Sequence, residues 1–410
     1  MKSYSQTAAD RAATNHVIRD RYVMGDAIPF ALAHLACFAA IWTGVYLADV
    51  LIAVGLYFIR MFGITAGFHR YFAHRSYKTN RVVGFILAFL AQTSAQSGVL
   101  WWAGTHRHHH RYSDEPEDVH SPVQRGFWFS HVGWIFTERY QNTNMELIPD
   151  FAKYPELVWL DRHPFLPAIM LAVLVTLCAG WSGLVVGFFW STVATWHGTF
   201  AINSLAHVWG RKRYLTGDQS RNNWWLALIT LGEGWHNNHH HYQSAACQGF
   251  RWYEIDVTYY ILKALSVIGV VWDLRKPPRA VVYNEQKLGR AVVEKAASEL
   301  ADSFQVDHIV AEFSANIEAL QGNVTERFEA WRHQFDKKIK LARHELEELM
   351  EDLHVPAMPS AAELQQRAAE MFVRTPSVNE IIERARQILM DSVYEELMSR
   401  HLAVNTAQTR

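Results

Sequence analysis

The chain reads His69-Arg-Tyr-Phe-Ala-His74, His106-Arg-His-His109-His110 and His236-Asn-Asn-His239-His240 at three places that lie far apart in its sequence. Positions i, i+3 and i+4 of an α-helix lie on one face, so three histidines of each of the last two segments should point together. These are His106, His109 and His110 in one segment and His236, His239 and His240 in the other. His108 and His241 fall off those faces, and we do not expect them to share the role of their neighbours.

Histidines at this spacing predict a metal site. Imidazole nitrogen binds iron, zinc and copper well. Eight such ligands from three distant segments suit two metals, each of which keeps an open or water-filled position. Scattered surface histidines, or a histidine-rich tract that picks up metal by chance, would not give three such clusters from distant segments beside apolar stretches.

The composition of the 410-residue chain narrows the class of protein. Its 39 basic residues are matched by 40 acidic ones, which argues against a nucleic-acid partner. Aromatic residues make up 13% of the chain, with 16 Trp, as suits membrane interfaces and apolar tunnels. Cys37, Cys178 and Cys247 lie too far apart for a disulfide framework or a cysteine zinc site. The N-terminal residues carry no apolar stretch, so we do not expect a secretory signal peptide.

Long uncharged segments predict membrane-spanning helices. Residues 28–47 carry no formal charge, residues 50–68 carry only Arg60, and residues 165–203 contain no Asp, Glu, Lys or Arg. About 20 apolar residues cross a bilayer, so the last segment makes two spans with a turn at residues 179–183. Buried helices of a soluble protein are rarely so long and so apolar. We therefore expect four transmembrane helices in two hairpins.

A further uncharged segment, residues 82–103, is not expected to cross the membrane. A single site requires all three histidine segments on one side, and a crossing here would separate the first segment from the second. The second half of this segment also contains a polar run, residues 92–97. We predict a helix that is embedded in the membrane or covered by a cap.

Charge patterning predicts the orientation and the domains. The basic N-terminus and the basic loop over residues 70–81 fall on one side, whereas the hairpin turns carry no Lys or Arg. By the positive-inside rule the termini and the histidine segments face the cytoplasm. Residues 1–25 are then a cytosolic tail, residues 26–280 an integral membrane domain, and residues 285–410 a soluble helical region of unknown role. In that region we predict an amphipathic helix over Glu312–Leu353 and a last helix over Ser377–His401, so the fold class is all-α.

The sequence around the histidines resembles the membrane fatty-acid desaturases, above all the stearoyl-CoA (delta-9 acyl) desaturases. The matching stretches are Gly63-Ile-Thr-Ala-Gly67, Arg125-Gly-Phe-Trp-Phe-Ser-His-Val-Gly-Trp134 and Gly232-Glu-Gly-Trp-His-Asn237, and the match covers about residues 25–275. The resemblance implies four transmembrane helices under a cytosolic helical cap that holds a histidine-ligated di-iron site. It also implies a ninth histidine ligand, His207, and a contribution from Asn203 through a water molecule.

The same resemblance implies a kinked substrate tunnel. The residues that would line its kink are Gln96, Trp102 and Thr199. Where animal members of the family have Arg-Asp before the second histidine segment and Arg-Lys after a Gly-Trp pair, this chain has Gly104-Thr105 and Glu138-Arg139. The acyl carrier therefore stays open between coenzyme A, acyl carrier protein and a lipid ester.

The implied reaction sets requirements on cofactors and partners. Acid–base chemistry cannot remove hydrogen from adjacent unactivated CH₂ groups, so the work falls to a cofactor. Two irons with dioxygen as co-substrate would supply it, and zinc can replace iron in a recombinant preparation. The chain has no haem-binding His-Pro-Gly-Gly motif, so electrons must come from an external carrier such as ferredoxin, rubredoxin or a cytochrome with its reductase. Imidazole ligands also need acceptors that orient them, and the candidates are Glu233, Asp114 and Asp218.

The expected function is oxygen-dependent desaturation of a saturated long-chain acyl group at carbon nine. The nearest alternative is a di-iron membrane hydroxylase of alkanes or fatty acyl chains, which cleaves the same C–H bond. The residues around His236 and the Asn203/His207 pair favour desaturation. A non-catalytic membrane scaffold that recruits partners through its C-terminal helices is a third possibility, which metal analysis would distinguish because a scaffold needs no intact histidine segments.

Overall fold

The computed structural model describes residues 21–311 and 358–408, which belong to two compact units. The first unit ends at Tyr283 and the second begins at Asn284. This border lies within the interval 280–285 between the two expected domains. The described residues are mostly helical, as the all-α class predicts. The amphipathic helix predicted over Glu312–Leu353 lies outside the described residues.

The first apolar helices of the chain precede the first histidine segment. Helix α1 (Met24–Cys37) is followed by the short α2 (Ala40–Thr43). The chain turns at Gly44, where a φ of 78° favours glycine. Helix α3 (Leu47–Phe62) then continues without interruption as a π-helix, Gly63–Ala73, which we call π1.

Residues 82–103 form two helices, so the prediction of one helix is wrong. Helix α4 (Arg81–Gln92) and helix α5 (Val99–Arg111) are separated by a bend in which Ala95 and Ser97 have positive φ. The polar run itself ends α4. Its hydroxyl groups bond to backbone carbonyls of the last turn, and Gln92 donates to the carbonyl of Leu160 and accepts from the amide of Val99.

Short helices and turns connect α5 to the next long apolar segment. In chain order they are α6 (Pro122–Arg125), α7 (Phe127–His131), three 3₁₀ turns (Gly133–Phe136, Glu138–Tyr140 and Met145–Leu147), α8 (Pro149–Ala152) and α9 (Pro155–Arg162). Asp161 on α9 accepts from the backbone amides of Leu100 and Trp101 and so holds the first turn of α5.

Among the described residues, two continuous helical stretches are long and apolar enough to span a membrane, Leu47–Ala73 and Leu166–Val208. The second comprises α10 (Leu166–Ser182), a π-helix over Gly183–Trp190 that we call π2, and α11 (Ser191–Val208). Its path is interrupted at Gly180, whose φ of 67° and ψ of −160° are essentially restricted to glycine. Val175 on α10 lies against Gly187 on π2, so the helix folds back within the expected turn. Residues Ala27–Thr43 form a shorter apolar segment.

The rest of the first unit follows the longer apolar stretch in the chain. It contains α12 (Trp224–Ile229), α13 (His236–His241), α14 (Val257–Val267) and α15 (Arg279–Val282). Strand β1 (Lys78–Thr79) pairs antiparallel with β2 (Val271–Trp272), which ties the segment after π1 to the end of α14. The hydrophobic core below the histidines includes Phe68 and Phe72 of π1, Leu100 of α5 and Leu262 of α14, all fully buried.

The second unit is a helical assembly of its own. It contains α16 (Arg290–Asp302), α17 (Ala361–Met371) and α18 (Val378–Gln408). A capping box of Ser360 and Glu363 starts α17. Helix α18 begins one residue after the start predicted for the last helix and extends beyond its predicted end.

Candidate metal centre

The π-helical backbone explains the five-residue spacing of the first histidine pair. The amide of His74 donates to the carbonyl of His69 at 3.0 Å, the i→i−5 hydrogen bond of a π-helix. In an α-helix, residues five apart would diverge by about 140°. In π1 the two imidazole rings lie on one face with their centroids 4.7 Å apart. The spacing alone gave no indication of this backbone form.

One group of imidazoles, which we call cluster A, gathers around π1. Its members are His69, His74, His106, His110 and His239, and one ring nitrogen of each lies within 4.8 Å of the others. The Nε2 atoms of His69 and His239 are 3.1 Å apart, and those of His74 and His106 are 2.9 Å apart. Cluster A therefore joins all three histidine segments.

A second group, cluster B, lies beside the first. Its members are His109, His207, His236 and His240, all buried, with ring nitrogens again within 4.8 Å of one another. The sequence neighbours His109 and His110 enter different clusters, as do His239 and His240. The rings of His110 and His240 have centroids only 4.4 Å apart, so the two clusters share a wall.

Carboxylates fix the orientation of four of these rings. All three acidic residues considered from the sequence contact an Nδ1 atom: Glu233 with His69 at 2.6 Å, Asp114 with His207 at 2.9 Å and Asp218 with His240 at 2.8 Å. Each carboxylate accepts from Nδ1–H, which leaves the lone pair of Nε2 to face the cluster.

A fourth carboxylate, Asp118, was missed. It contacts Nδ1 of His109 at 2.8 Å and is itself buried. Nothing in the sequence distinguishes it from a surface acid, because it lies in a short acidic loop nine residues after its partner. Gln248 was also missed, and its amide donates to Glu233 at 2.7 Å beside His69.

Burial and neighbouring rings keep five of the imidazoles neutral. Loss of solvent, followed by repulsion from adjacent imidazoles, keeps the pKa of each of five histidines well below its usual value. They are His74, His106, His110, His236 and His239. Burial opposes ionisation of Asp118 and Asp218, but the histidines that they contact outweigh it and lower the pKa of both carboxyl groups. Neutral imidazole is the form that binds metal.

The donor set fits two transition-metal ions. The Nε2 atoms of His109 and His240 are buried and lack a hydrogen-bond partner, while their Nδ1 atoms are held by carboxylates. Such orphaned acceptors are costly unless something occupies the space between them. Nitrogen ligands alone suit iron, zinc or copper and do not suit magnesium or calcium, which prefer oxygen.

Of the candidate tunnel residues, Trp102 contacts cluster A, whereas Gln96 and Thr199 contact each other. Gln96 donates through Nε2 to Oγ1 of Thr199 at 3.0 Å, which joins the bend after α4 to α11. Trp102 stacks on His106 at 5.0 Å and on Phe68 at 5.3 Å. Asn203 lies one turn before His207 on α11, and its carbonyl accepts from Ser130.

The two histidines excluded by the helical-face argument lie outside both clusters. His108 contacts the carbonyl of Glu117 through Nε2 at 2.9 Å. His241 stacks on Tyr214 with the ring planes 2° from parallel.

Comparison with known proteins provides independent evidence about the family of the chain. Residues 41–267, more than half of the chain, match the family model described as fatty acid desaturase. The chain is similar to the palmitoyl-monogalactosyldiacylglycerol delta-7 desaturase of Arabidopsis thaliana, with 37% identity over 56% of this chain and 63% of the relative. It is also similar to an acyl-CoA C20 Delta5-desaturase of Anemone leveillei, with 37% identity over 53% of this chain and 70% of the relative. An sn-1 stearoyl-lipid 9-desaturase of Anabaena variabilis is 36% identical over 58% of this chain and 89% of its own length.

Proposed function

Because the chain belongs to the fatty acid desaturase family and is therefore a fatty-acyl desaturase, we propose that it desaturates a saturated long-chain acyl group at a di-iron centre with dioxygen as co-substrate. The observation that carries the proposal is the pair of adjoining imidazole clusters, five rings in one and four in the other. When bound, two irons would supply the oxidising power needed to break unactivated C–H bonds. Cluster A would hold one ion and cluster B the other, with Asn203 contributing through water.

The chain's own residues would position the metals and the substrate. Glu233, Asp114, Asp218 and Asp118 hold Nδ1–H of their histidines, which keeps each Nε2 lone pair directed at its ion. Trp102, Gln96 and Thr199 would shape the kink that brings the reacting carbons to cluster A. Fixed positions of this kind supply the proximity that the reaction needs.

The proposed membrane topology has four spans, with the termini and the active site facing the cytoplasm. Two long apolar helical stretches support it, and the interruption at Gly180 would divide the longer one into two passes. The segment Ala27–Thr43 would supply the remaining pass, although it is shorter than the other apolar stretches. The basic residues near cluster A support the cytoplasmic orientation.

The proposed position of the double bond is carbon nine, counted from the carboxyl end. The sn-1 stearoyl-lipid 9-desaturase supports that number, whereas the names of the other two relatives specify positions seven and five. The names of two of the three relatives specify a lipid as the acyl carrier, and the name of the third specifies coenzyme A. The carrier is therefore left open, and the electrons would come from a separate protein.

Gas chromatography of membrane lipids from cells that express the chain tests this function. Saturated acids of different lengths should all gain a double bond at the same distance from the carboxyl carbon. A hydroxylated product would instead indicate the membrane hydroxylase. A double bond at a constant distance from the methyl end would show that the tunnel measures from the other direction, against the delta-9 assignment.

A further inference from the structure

A cavity of about 400 Å³ opens next to cluster A. Its walls are formed by Ala73, His74, Arg107, His110, Arg111, Gln243 and Ser244. Two of these residues, His74 and His110, belong to cluster A, and no member of cluster B reaches the cavity. A molecule in this cavity would therefore contact imidazoles of the metal centre directly.

The two clusters differ in how far they are shielded from the outside. All four rings of cluster B are buried. In cluster A, His69 and His239 are buried, but His74, His106 and His110 are half-buried. Trp102 covers His106 by stacking on it at 5.0 Å. The edges of His74 and His110 in the cavity are thus the most accessible part of the metal centre.

The rim of this cavity is basic. Arg107 is fixed by two hydrogen bonds to Asp150, at 2.8 and 2.9 Å, and by donation to the carbonyls of Phe72 and Ala73. Arg111, at the last residue of α5, is exposed. Both side chains line the cavity, and the guanidinium charge of Arg107 is paired with Asp150.

Two further arginines extend the basic surface. Arg75, whose side chain is 61% exposed, shares Asp150 with Arg107 at 3.3 Å. Arg275 is exposed, and its amide donates to the carbonyl of Ser76, next to Arg75. We call Arg75, Arg107, Arg111 and Arg275 the basic rim. A single carboxylate, Asp150, pairs with two of its four members.

The proposed position of the double bond argues against the acyl head group as the occupant of the rim. The reaction takes place far along the acyl chain from the carboxyl carbon, so the head group must be held away from the metals. A molecule that contacts metal-binding imidazoles must instead exchange something small with the centre. Electrons are such a species, since their transfer rate falls steeply with distance and therefore favours the least shielded ligand.

We infer that an acidic one-electron carrier protein docks on the basic rim and delivers electrons to cluster A through the edges of His74 and His110. This inference rests on the proposed function. Each turnover oxidises two carriers by one electron each. These electrons, two protons from solvent and the two hydrogens from the acyl chain reduce one dioxygen to two waters. Opposite charges on the two surfaces accelerate such an encounter without requiring a large interface.

The first test measures docking without turnover. The full chain is loaded with redox-inert zinc in lipid nanodiscs and titrated with oxidised ferredoxin, rubredoxin and cytochrome b5. Arg111→Glu and Arg275→Glu, singly and together, should weaken binding of the tightest carrier at least ten-fold at low ionic strength. The difference should shrink at high salt, because exposed charges are screened.

Arg162→Glu is the matched control. Arg162 is also exposed, but its neighbour Asp161 contacts Leu100 at the opposite end of α5, about 16 Å along the helix from Arg111. It should leave carrier binding unchanged. Equal weakening by Arg162→Glu, unchanged binding in the rim variants, or no binding of any carrier to the unaltered chain would overturn the inference.

The second test separates this inference from the proposed function. Iron-loaded enzyme is driven either by the carrier or by a chemically reduced viologen, which needs no docking surface. The rim variants should lose carrier-driven desaturation and keep viologen-driven desaturation. Absence of desaturation with every donor would contradict the proposed function, whereas equal rates in rim variants and unaltered enzyme with both donors would contradict only the docking site.

Discussion

The contact between Asp118 and His109 predicts that this carboxylate strengthens metal binding. Asp118 accepts a hydrogen bond from Nδ1–H of His109, and His109 is a member of cluster B. Asp118→Asn removes the negative charge and keeps the shape. We expect the metal in cluster B to bind about 10- to 100-fold more weakly, since the partner of a ligating histidine contributes that much. Competition with a chelator, followed by metal analysis, measures the effect.

Asp273→Asn serves as the control for that variant. Asp273 is exposed and pairs with Lys78 at 2.7 Å, away from both clusters. It should retain both metals at the chelator concentration that empties cluster B in Asp118→Asn. Equal retention in the two variants would mean that Asp118 does not support the ligand.

Two histidines that are sequence neighbours of cluster members, but lie outside both clusters, provide a second prediction. His108→Ala and His241→Ala should keep most desaturase activity and both metals, because their rings contact Glu117 and Tyr214 and neither cluster. His110→Ala and His240→Ala should abolish activity. Product analysis and metal content are measured together for all four variants. A comparable loss in each pair would refute the division into cluster and non-cluster histidines.

Helix periodicity predicted that the three histidines of α5 and the three of α13 point together, but the structure divides each set between the two clusters. Other local features could not be read from periodicity either. The i, i+3, i+4 rule assumes α-helical backbone and therefore gave no reason why His69 and His74 should share a face. The break between α4 and α5 depends on Gln92 reaching Leu160, a residue far away in the chain. Asp118 was missed for the same reason, since its role is visible only once His109 is placed beside it.

The turn between α10 and π2 makes a prediction about one backbone position. Gly180 has a conformation that side chains strongly disfavour, although no atom lies within 4 Å of where a Cβ would be. Gly180→Ala should therefore lower the free energy of unfolding by about 1–3 kcal/mol through backbone strain alone. Denaturation of the purified chain in mixed micelles measures it.

Gly55 provides the comparison for that variant. It lies inside α3, and the space around its Cβ position is also open. Gly55→Ala should be neutral or stabilise by about 0.5–1 kcal/mol, because alanine loses less conformational freedom in a helix. Similar destabilisation by both substitutions would show that lost flexibility, and not the turn geometry, is the cause.

At the scale of the whole molecule, the metal centre is contained in the first unit. Both clusters draw every member from residues 69–240. Truncation near residue 290 should therefore leave two metals per chain, as metal analysis of the purified membrane unit would show. Its helical content, measured by circular dichroism, provides the control for folding. Loss of metal from a truncated chain that is still folded would show that the second unit supports the centre.

The number of membrane passes is a property of the whole molecule that the sequence predicts only in part. Uncharged length predicted the turn at residues 179–183, and Gly180 lies within it. By length and composition, two helical stretches are able to span a membrane. Helices α1 and α2 do not add a third, because the helix is interrupted after Cys37 and the two together are short. Four passes therefore stay a prediction that depends on where the bilayer lies.

The π-helix π1 has a consequence for how this part of the chain can change over evolution. Substitutions within residues 63–73 alter one side chain at a time and leave the wide turn in place. Removing one of residues 70–73 would leave the two histidines four residues apart, and an ordinary α-helix would then keep them on one face, about 40° from each other. The pair would therefore survive the loss of the wide turn if the deleted residue lay between the two histidines, whereas a deletion before His69 would leave their spacing at five and still require that turn.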